Sequence, residues 1–409
     1  MNARACRFCA APLRVTFCDL GMSPLSNAFV SPAQAHQGEV FYPLHALVCE
    51  RCFLVQLEQF ETPEHIFRDY VYFSSYSDTW LGHCRRYSEA MRAALDLGRQ
   101  SLVIEVASND GYLLQFFREA GVPVLGIDPA RNVAAAAEKR GIPTLSEFFG
   151  RELAERLAKE GRRADLVVAN NVFAHVPDLN DFAAGLCHVL KPGGVLTLEF
   201  PHLLRLVEEH QFDTIYHEHL SYFSFASATR VLARHGLAVH DVEELPTHGG
   251  SLRVHAARAE ARRNPSARVA RLLAAERGAR LNSLEAYADF SEKVKRTKAA
   301  LLEFLIGAKN AGKRIAGYGA PAKGNTLLNY CGIRTDFLDY TVDRSPHKQG
   351  LLLPGTRIPV FEPKKILETR PDYVLILPWN LKDEICEQMS AIRAWGGKFV
   401  VPIPEVAVI

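Results

Sequence analysis

The chain has 409 residues, 48% of them apolar and 23% charged, and its Lys and Arg outnumber Asp and Glu by a net +2. That is the balance of a soluble globular protein of two to three domains; it excludes a disordered or fibrous chain and offers no bulk field for nucleic acid. No apolar run approaches the roughly 18 residues that cross a bilayer, and Met1-Asn2-Ala3-Arg4 leads into Cys6 without a signal-peptide stretch, so a cytoplasmic protein with no membrane partner is expected.

The first organised feature is Cys6-Arg7-Phe8-Cys9, answered by Cys49-Glu50-Arg51-Cys52. Each two-residue spacer lets one tight turn present two thiolates to the same ion, and two such pairs make a tetrahedral zinc site. The alternative is four unrelated thiols. Cys18, Cys84, Cys187, Cys331 and Cys386 have no partner at ligand spacing. With sulfur in all four positions no site is open to substrate, so the zinc is expected to be structural and to hold together a module over residues 1–70.

Arg68 to Trp80 follows, dense in aromatics and hydroxyls, and Tyr76 within it is a candidate pocket residue; an ordinary strand-to-helix join is the alternative. From Leu102 a regular alternation begins, with apolar runs at Leu102 to Val106, Val122 to Ile127, Leu166 to Ala169 and Val195 to Phe200 separated by helical stretches. Such alternation predicts a parallel sheet with helices on both faces, whose ligands lie beyond the carboxyl ends of the strands. The first strand closes in Glu105-Val106-Ala107-Ser108-Asn109-Asp110-Gly111, a turn of small residues opening a helix. The second ends in Gly126-Ile127-Asp128-Pro129, which sets a carboxylate where ribose hydroxyls could be received. Together with Asn170-Asn171 at the end of the fourth strand and Lys191-Pro192-Gly193-Gly194 opening the next, this resembles the S-adenosylmethionine-dependent methyltransferase pattern. The dinucleotide alternative would require a stricter Gly-x-Gly-x-x-Gly.

Next comes Asp213 to Ser224, containing Tyr216-His217-Glu218-His219 and Tyr222. The metalloprotease spacing is not met, because position 221 is Ser. General-base chemistry suits these residues, since neutral His titrates near 6.5 and a neighbouring carboxylate can orient it; a metal site or satisfied backbone groups are the alternatives. If the run is extended, His217 and His219 share a face and Glu218 points away, a difficulty that a turn would relieve. His175, just past the fourth strand, is expected to face the same cavity. Thr247-His248-Gly249-Gly250-Ser251 reads as a substrate loop or a plain hairpin connection.

Asn264-Pro265 predicts a helix start, and an amphipathic connector runs from there to about Gly312. A second α/β unit follows, with strands at Arg314 to Tyr318, Tyr340 to Asp343, Tyr373 to Leu377 and Phe399 to Val401. Its turn, Gly319-Ala320-Pro321-Ala322-Lys323-Gly324-Asn325-Thr326, suits a phosphate, against a solvated Lys on a plain turn. The expected organisation is thus α/β throughout after the zinc module: a Rossmann-like methyltransferase domain over residues 71–262, then the connector and a Rossmann-like domain over 263–409.

The ordered set of these motifs resembles the nucleotide-sugar C-methyltransferases over essentially the whole chain. The resemblance implies methylation at C3 of a dTDP-linked 4-keto-6-deoxy sugar, with S-adenosylmethionine as donor and zinc as a structural ion. It implies His219 as the base, Glu218 as its partner, Tyr216 and His175 as neighbours, Tyr76 as a further contributor and Tyr222 as an alternative base. It places the methyl donor on Glu105, Ala107, Asn109, Gly111, Asp128, Pro129, Asn170 and Asn171, and the sugar nucleotide near His248, Ser251, Lys323 and Asn325. One departure is visible: Ala107 stands where the family usually has Gly, a change expected to tighten the cofactor turn without abolishing binding. An O- or N-methyltransferase would need the cofactor turn but no enolising base. Without a long exposed heptad there is no case for a coiled-coil dimer, and a monomer is compatible with the sequence.

Overall fold

The computed structural model describes residues 4–67, 75 and 78–409. Three antiparallel strands, β1 (Val15–Ser23), β2 (Tyr42–Val48) and β3 (Val55–Leu57), form the N-terminal sheet, and a fourth strand, Ser221–Tyr222, pairs with β3 from the middle of the chain. Both Cys-x-x-Cys turns close alike. Ala10 N donates to Cys6 O at 2.9 Å and Phe53 N to Cys49 O at 2.9 Å, while the residue after each pair, Ala10 or Phe53, takes a left-handed φ of 58° or 59°. The four sulfurs lie within 4.8 Å of one another, and Cys6–Cys52 and Cys9–Cys49 are each 3.5 Å apart. A zinc ion with bonds of about 2.3 Å needs tetrahedral sulfurs about 3.8 Å apart, so the donor set fits it. Gln56 Nε2 donates to Cys6 Sγ at 3.2 Å, the kind of outer contact that orients a ligating thiolate.

The middle sheet contains β4 (Val103–Val106), β5 (Val124–Ile127), β6 (Thr144–Leu145), β7 (Ala164–Asn170) and β8 (Leu190–Pro201), all parallel. Ser221–Tyr222 (β9) leaves for the N-terminal sheet, and β10 (Leu237–Leu245) and β11 (Ser251–Arg258) complete the order β10-β11-β8-β7-β4-β5-β6. The expected wholly parallel sheet is therefore mixed at one edge. A connection as short as Pro246 to Gly250 can join only antiparallel neighbours, and β11 accordingly runs antiparallel to both β10 and β8. β4 and β5 are buried along their whole length, as parallel strands covered on both faces must be.

The connector is three helices, Ala267–Gly278, Glu285–Ala288 and Phe290–Asn310. The helix predicted from Asn264-Pro265 begins later because Ser266 N donates to His240 O at 2.8 Å and Ser266 Oγ to Asp241 Oδ1 at 2.5 Å, which pins this stretch to β10 in extended form. The C-terminal sheet holds β12 (Ile315–Tyr318), β13 (Thr341–Val342), β14 (Val360–Phe361), β15 (Tyr373–Ile376), β16 (Lys398–Val401) and β17 (Ala407–Val408) in the order β14-β13-β12-β15-β16-β17, with only β17 antiparallel.

The N-terminal sheet has no core of its own. Phe17, Leu20, Leu44 and Val55 belong to one apolar cluster with Phe290, Ile315 and Leu375 of the C-terminal part, and Phe17 stacks on Phe290 at 4.5 Å. The thiolate-bearing turns pack instead on the middle domain, Cys6, Cys49 and Cys52 sharing a cluster with Phe173, Phe182 and Phe225. Among the described residues no helix is long and apolar enough to cross a membrane. Because the zinc module supplies one wall of both neighbouring cores, Cys49→Ser is expected to give insoluble or zinc-poor protein; a soluble variant with full zinc content that loses only turnover would contradict the structural role of the ion.

Candidate active site

The carboxyl edge of the middle sheet carries a turn with three left-handed residues, Ala107 (φ 59°), Asn109 (φ 49°) and Gly111 (φ 77°). Ala107 N and Ser108 N both donate to Ile127 O, at 2.7 and 3.2 Å, which ties the turn to the end of β5. Asp128 completes the cradle: its Oδ2 accepts from Asn109 N and its Oδ1 from Ala130 N, each at 2.9 Å, across Pro129. Burial raises the Asp128 carboxyl to about 6. A Cβ on Gly126 would stand 2.5 Å from Ser108 Oγ, so only glycine lets the two strand ends approach this closely.

Glu105 is fully buried, neither carboxylate oxygen has a hydrogen-bond partner among the described residues, and burial pushes it well above the usual carboxylate range. Among the described residues Ser108 Oγ, Asp110 Oδ1 and Asn170 Oδ1 are likewise buried without a partner, while Asp110 Oδ2 takes Arg140 Nη1 at 3.1 Å and the Ser75 hydroxyl. Orphaned polar atoms converging on one strand edge are what a polar ligand leaves behind when it is absent. Asn171 (φ 53°) donates its N–H to Glu199 O at 2.7 Å and turns the chain toward His175.

The histidine run is a turn, not an extended segment. His219 N donates to Tyr216 O at 2.8 Å, which folds residues 216–219 back on themselves. His219 Nδ1 faces Thr214 O at 3.0 Å, and Tyr216 OH lies 2.8 Å from its Nε2. A carbonyl can only accept, so the proton sits on Nδ1 and Nε2 carries the lone pair. Burial first, with His175, His248 and Lys323 close by, holds His219 well below its ordinary 6.5, so the ring is neutral. His175, whose ring centroid is 4.8 Å away, is lowered to about 4 by burial. His217 turns away onto the N-terminal module, its ring 5.9 Å from Tyr42 and 6.4 Å from Phe60.

Three expectations need correction. Glu218 does not orient His219: its Oε1 accepts from Asn27 Nδ2 at 2.6 Å, because the turn sends the side chain into the N-terminal module. Ser251 is buried with its hydroxyl donated to Thr247 O at 2.9 Å, a turn closure and not a ligand donor. Asn325 is buried and donates to Ser26 O at 2.6 Å, holding the zinc module against the C-terminal domain. Tyr222 sits in β9 with its ring 6.2 Å from His219, and burial raises its phenol well above the ordinary 10, which disfavours it as a base. Tyr76 lies outside the described residues.

In the C-terminal domain, Lys323 Nζ donates to Asn380 Oδ1 at 2.8 Å and lies 4.5 Å over the Trp379 ring. His248 (φ 56°) is exposed, its ring 5.6 Å from Trp80. The C-terminal turn repeats the Asp128 turn of the middle sheet: Asp343 at the end of β13 accepts from Ala320 N and Ser345 N, each at 2.8 Å, as Asp128 does from Asn109 and Ala130. Trp379, Asp213, Asn27 and Asp343 are the residues the sequence reading passed over. Trp379 and Asp343 were within reach, because each follows the carboxyl end of a strand in an α/β unit.

Three family models match the chain: one described as "Putative zinc binding domain" over residues 6–67, a methyltransferase domain over 82–242 and a C-methyltransferase C-terminal domain over 246–404. C-methyltransferase NovU of Streptomyces niveus is 37% identical over 404 residues, which span 99% of this chain and 96% of that protein. A ubiquinone biosynthesis O-methyltransferase of Methylobacterium nodulans is 33% identical over 116 residues, 27% of this chain and 45% of that protein. Among solved structures, magnesium protoporphyrin IX methyltransferase of Synechocystis overlaps 48% of this chain and 88% of its own, at 17% identity and a TM-score of 0.33.

The left-handed Ala107 carries a strain of about 1–2 kcal/mol that glycine would not, set against about 0.4–1 kcal/mol of extra chain entropy. Ala107→Gly is therefore expected to stabilise the protein by about 0.5–1 kcal/mol in denaturant unfolding; a destabilised variant would show that the methyl's packing outweighs the strain.

Proposed function

This chain belongs to the S-adenosylmethionine-dependent C-methyltransferases, and from that premise we propose that it methylates C3 of a nucleotide-linked 4-keto-deoxy sugar with His219 as the base. Family membership makes the acceptor atom a carbon, against O- or N-transfer. The observation that carries the reading is the neutral His219, whose Nδ1–H is committed to the Thr214 carbonyl so that Nε2 carries the lone pair, to which the Tyr216 hydroxyl donates in the resting protein.

S-adenosylmethionine, when bound, supplies an electrophilic methyl group on a sulfonium. The buried acceptors at Glu105, Ser108, Asp110 and Asn170 fit its polar groups, and Asp128 is placed for its ribose hydroxyls, with Ala107, Asn109, Gly111, Pro129 and Asn171 shaping the cradle. On the sugar, the C4 carbonyl acidifies the C3 hydrogen. His219 Nε2 takes that proton, and the C3–H electron pair moves into an enolate whose oxygen receives the Tyr216 hydroxyl as it leaves Nε2. C3 is then the nucleophile toward the methyl. His175 keeps the neighbouring wall uncharged, and Tyr222 backs the ring from β9. Lys323 is positioned to neutralise the diphosphate and His248 to border the sugar. The zinc takes no part, since all its positions are sulfur.

Asp128→Ala removes charge-assisted hydrogen bonds for which losses of about 1.5–3 kcal/mol are usual, so S-adenosylmethionine affinity in calorimetric titration is expected to fall at least tenfold while sugar-nucleotide affinity holds. Single-turnover methylation of a dTDP-4-keto-6-deoxy sugar tests the base: His219→Asn is expected to lose about 10²–10⁴ in rate with little change in ligand binding, and His217→Asn much less. A His219 variant at the normal rate would move the role to His175. The pH profile carries a sign. A base held below 6.5 stays neutral as pH falls, so the acid limb of the wild-type rate is expected below pH 6.5. A limb near pH 7 would point to Glu218, which burial raises to about 7.

A further inference from the structure

Asp213 is fully buried in the short 3-10 turn Phe212–Thr214 that leads into the histidine run. Its Oδ2 accepts from Trp379 Nε1 at 2.7 Å, and its Oδ1 is buried without a partner among the described residues. Trp379 comes from the C-terminal domain, just past the end of β15, and is itself fixed on two further sides. Lys323 Nζ lies 4.5 Å over its ring. Gly249 (φ 87°) packs so closely that a Cβ there would stand 2.5 Å from Trp379 Cη2. Gln211, two residues before Asp213, donates to Gly249 O at 2.6 Å and closes the contact. The residue after Asp213 is Thr214, whose carbonyl holds His219 Nδ1 at 3.0 Å.

We propose that Trp379 is a positioning residue for His219, acting through its hydrogen bond to Asp213 and so through the Thr214 carbonyl that fixes the tautomer and direction of the imidazole. This inference rests on the reading of His219 as the base. A buried carboxylate cannot be left without a donor at small cost, so the indole N–H decides where the 212–214 turn lies, and the turn decides where the Thr214 oxygen lies. The same indole touches Lys323, proposed above to meet the diphosphate, and Gly249 beside His248. The base is therefore assembled only when the C-terminal domain is docked where it presents Lys323.

Histidine side-chain 15N spectra of the resting protein test this without any substrate, the His219 signals being those missing from His219→Asn. The wild type is expected to show His219 as a single Nδ1–H tautomer. Trp379→Phe keeps the ring contacts but removes the donor, and is expected to give a mixture of tautomers, with kcat for methylation of a dTDP-4-keto-6-deoxy sugar 10–100-fold lower and KM for the sugar nucleotide within twofold. Asp213→Asn keeps an acceptor oxygen for the indole N–H and is expected to retain the wild-type tautomer. A folded, zinc-replete Trp379→Phe with an unchanged tautomer would overturn the proposal. So would a folded Asp213→Asn with a mixture, which decides the matter even if Trp379→Phe proves insoluble. Failure of the wild type to methylate the 4-keto sugar would count against the proposed function alone, since the spectra need no substrate.

Discussion

The rest of the site depends on residues 212–222 being held from both neighbouring parts of the chain at once. Asp213 takes its hydrogen bond from Trp379 of the C-terminal domain, Ile215 O accepts from Thr326 Oγ1 at 3.1 Å, Glu218 accepts from Asn27, and Ser221–Tyr222 adds a strand to the zinc module's sheet. Between these anchors the chain makes one turn, and His219 emerges from it beside His175 of the middle domain. A general base must be within hydrogen-bond reach of the proton it takes, so a segment without its own regular structure needs such fixing.

That constraint gives the zinc a consequence beyond its own turn. Cys49 and Cys52 close the loop between β2 and β3, and β3 is the strand on which β9 is laid. The module lacks a private core: its sheet packs on the C-terminal part, and its thiolate turns pack on the middle domain. Losing the ion would therefore loosen the wall on which Tyr222 and Glu218 rest, although no zinc ligand touches the reacting atoms.

Local signals carried much of this in the sequence. The Cys-x-x-Cys spacing, the small-residue turn after β4 and the acid after β5 each depend on a few neighbouring residues, and the described fold has them where strand-end chemistry puts them. What was not legible rests on partners far along the chain. Asn27 and Glu218 are 191 positions apart and Asp213 and Trp379 are 166 apart, so pairing Glu218 with its neighbour His219 was the natural error. The helix expected at Asn264-Pro265 failed for the same reason, because Asp241 claims Ser266 first. Ser251 and Asn325 look like ligand donors in the sequence because each follows a glycine-containing turn, but Ser251 opens β11, Asn325 lies in the helix Ala322–Cys331, and their hydrogen bonds go to Thr247 and Ser26. Ala107 shows the opposite case: its departure from glycine was visible in the sequence, and only its φ of 59° gave that departure a physical meaning.

The central claim is that a neutral His219, aimed by this two-sided clamp, removes a carbon-bound proton before any methyl group moves. The most direct measurement is solvent exchange: the wild-type protein incubated with a dTDP-4-keto-6-deoxy sugar in deuterated water without methyl donor, followed by mass spectrometry and proton NMR of the recovered sugar. One deuterium appearing at C3, and lost as an effect when His219 is changed to Asn, is the predicted result. A sugar that is methylated at carbon when donor is supplied, yet whose C3 exchange is as fast with the His219 variant as with the wild type, would contradict the account.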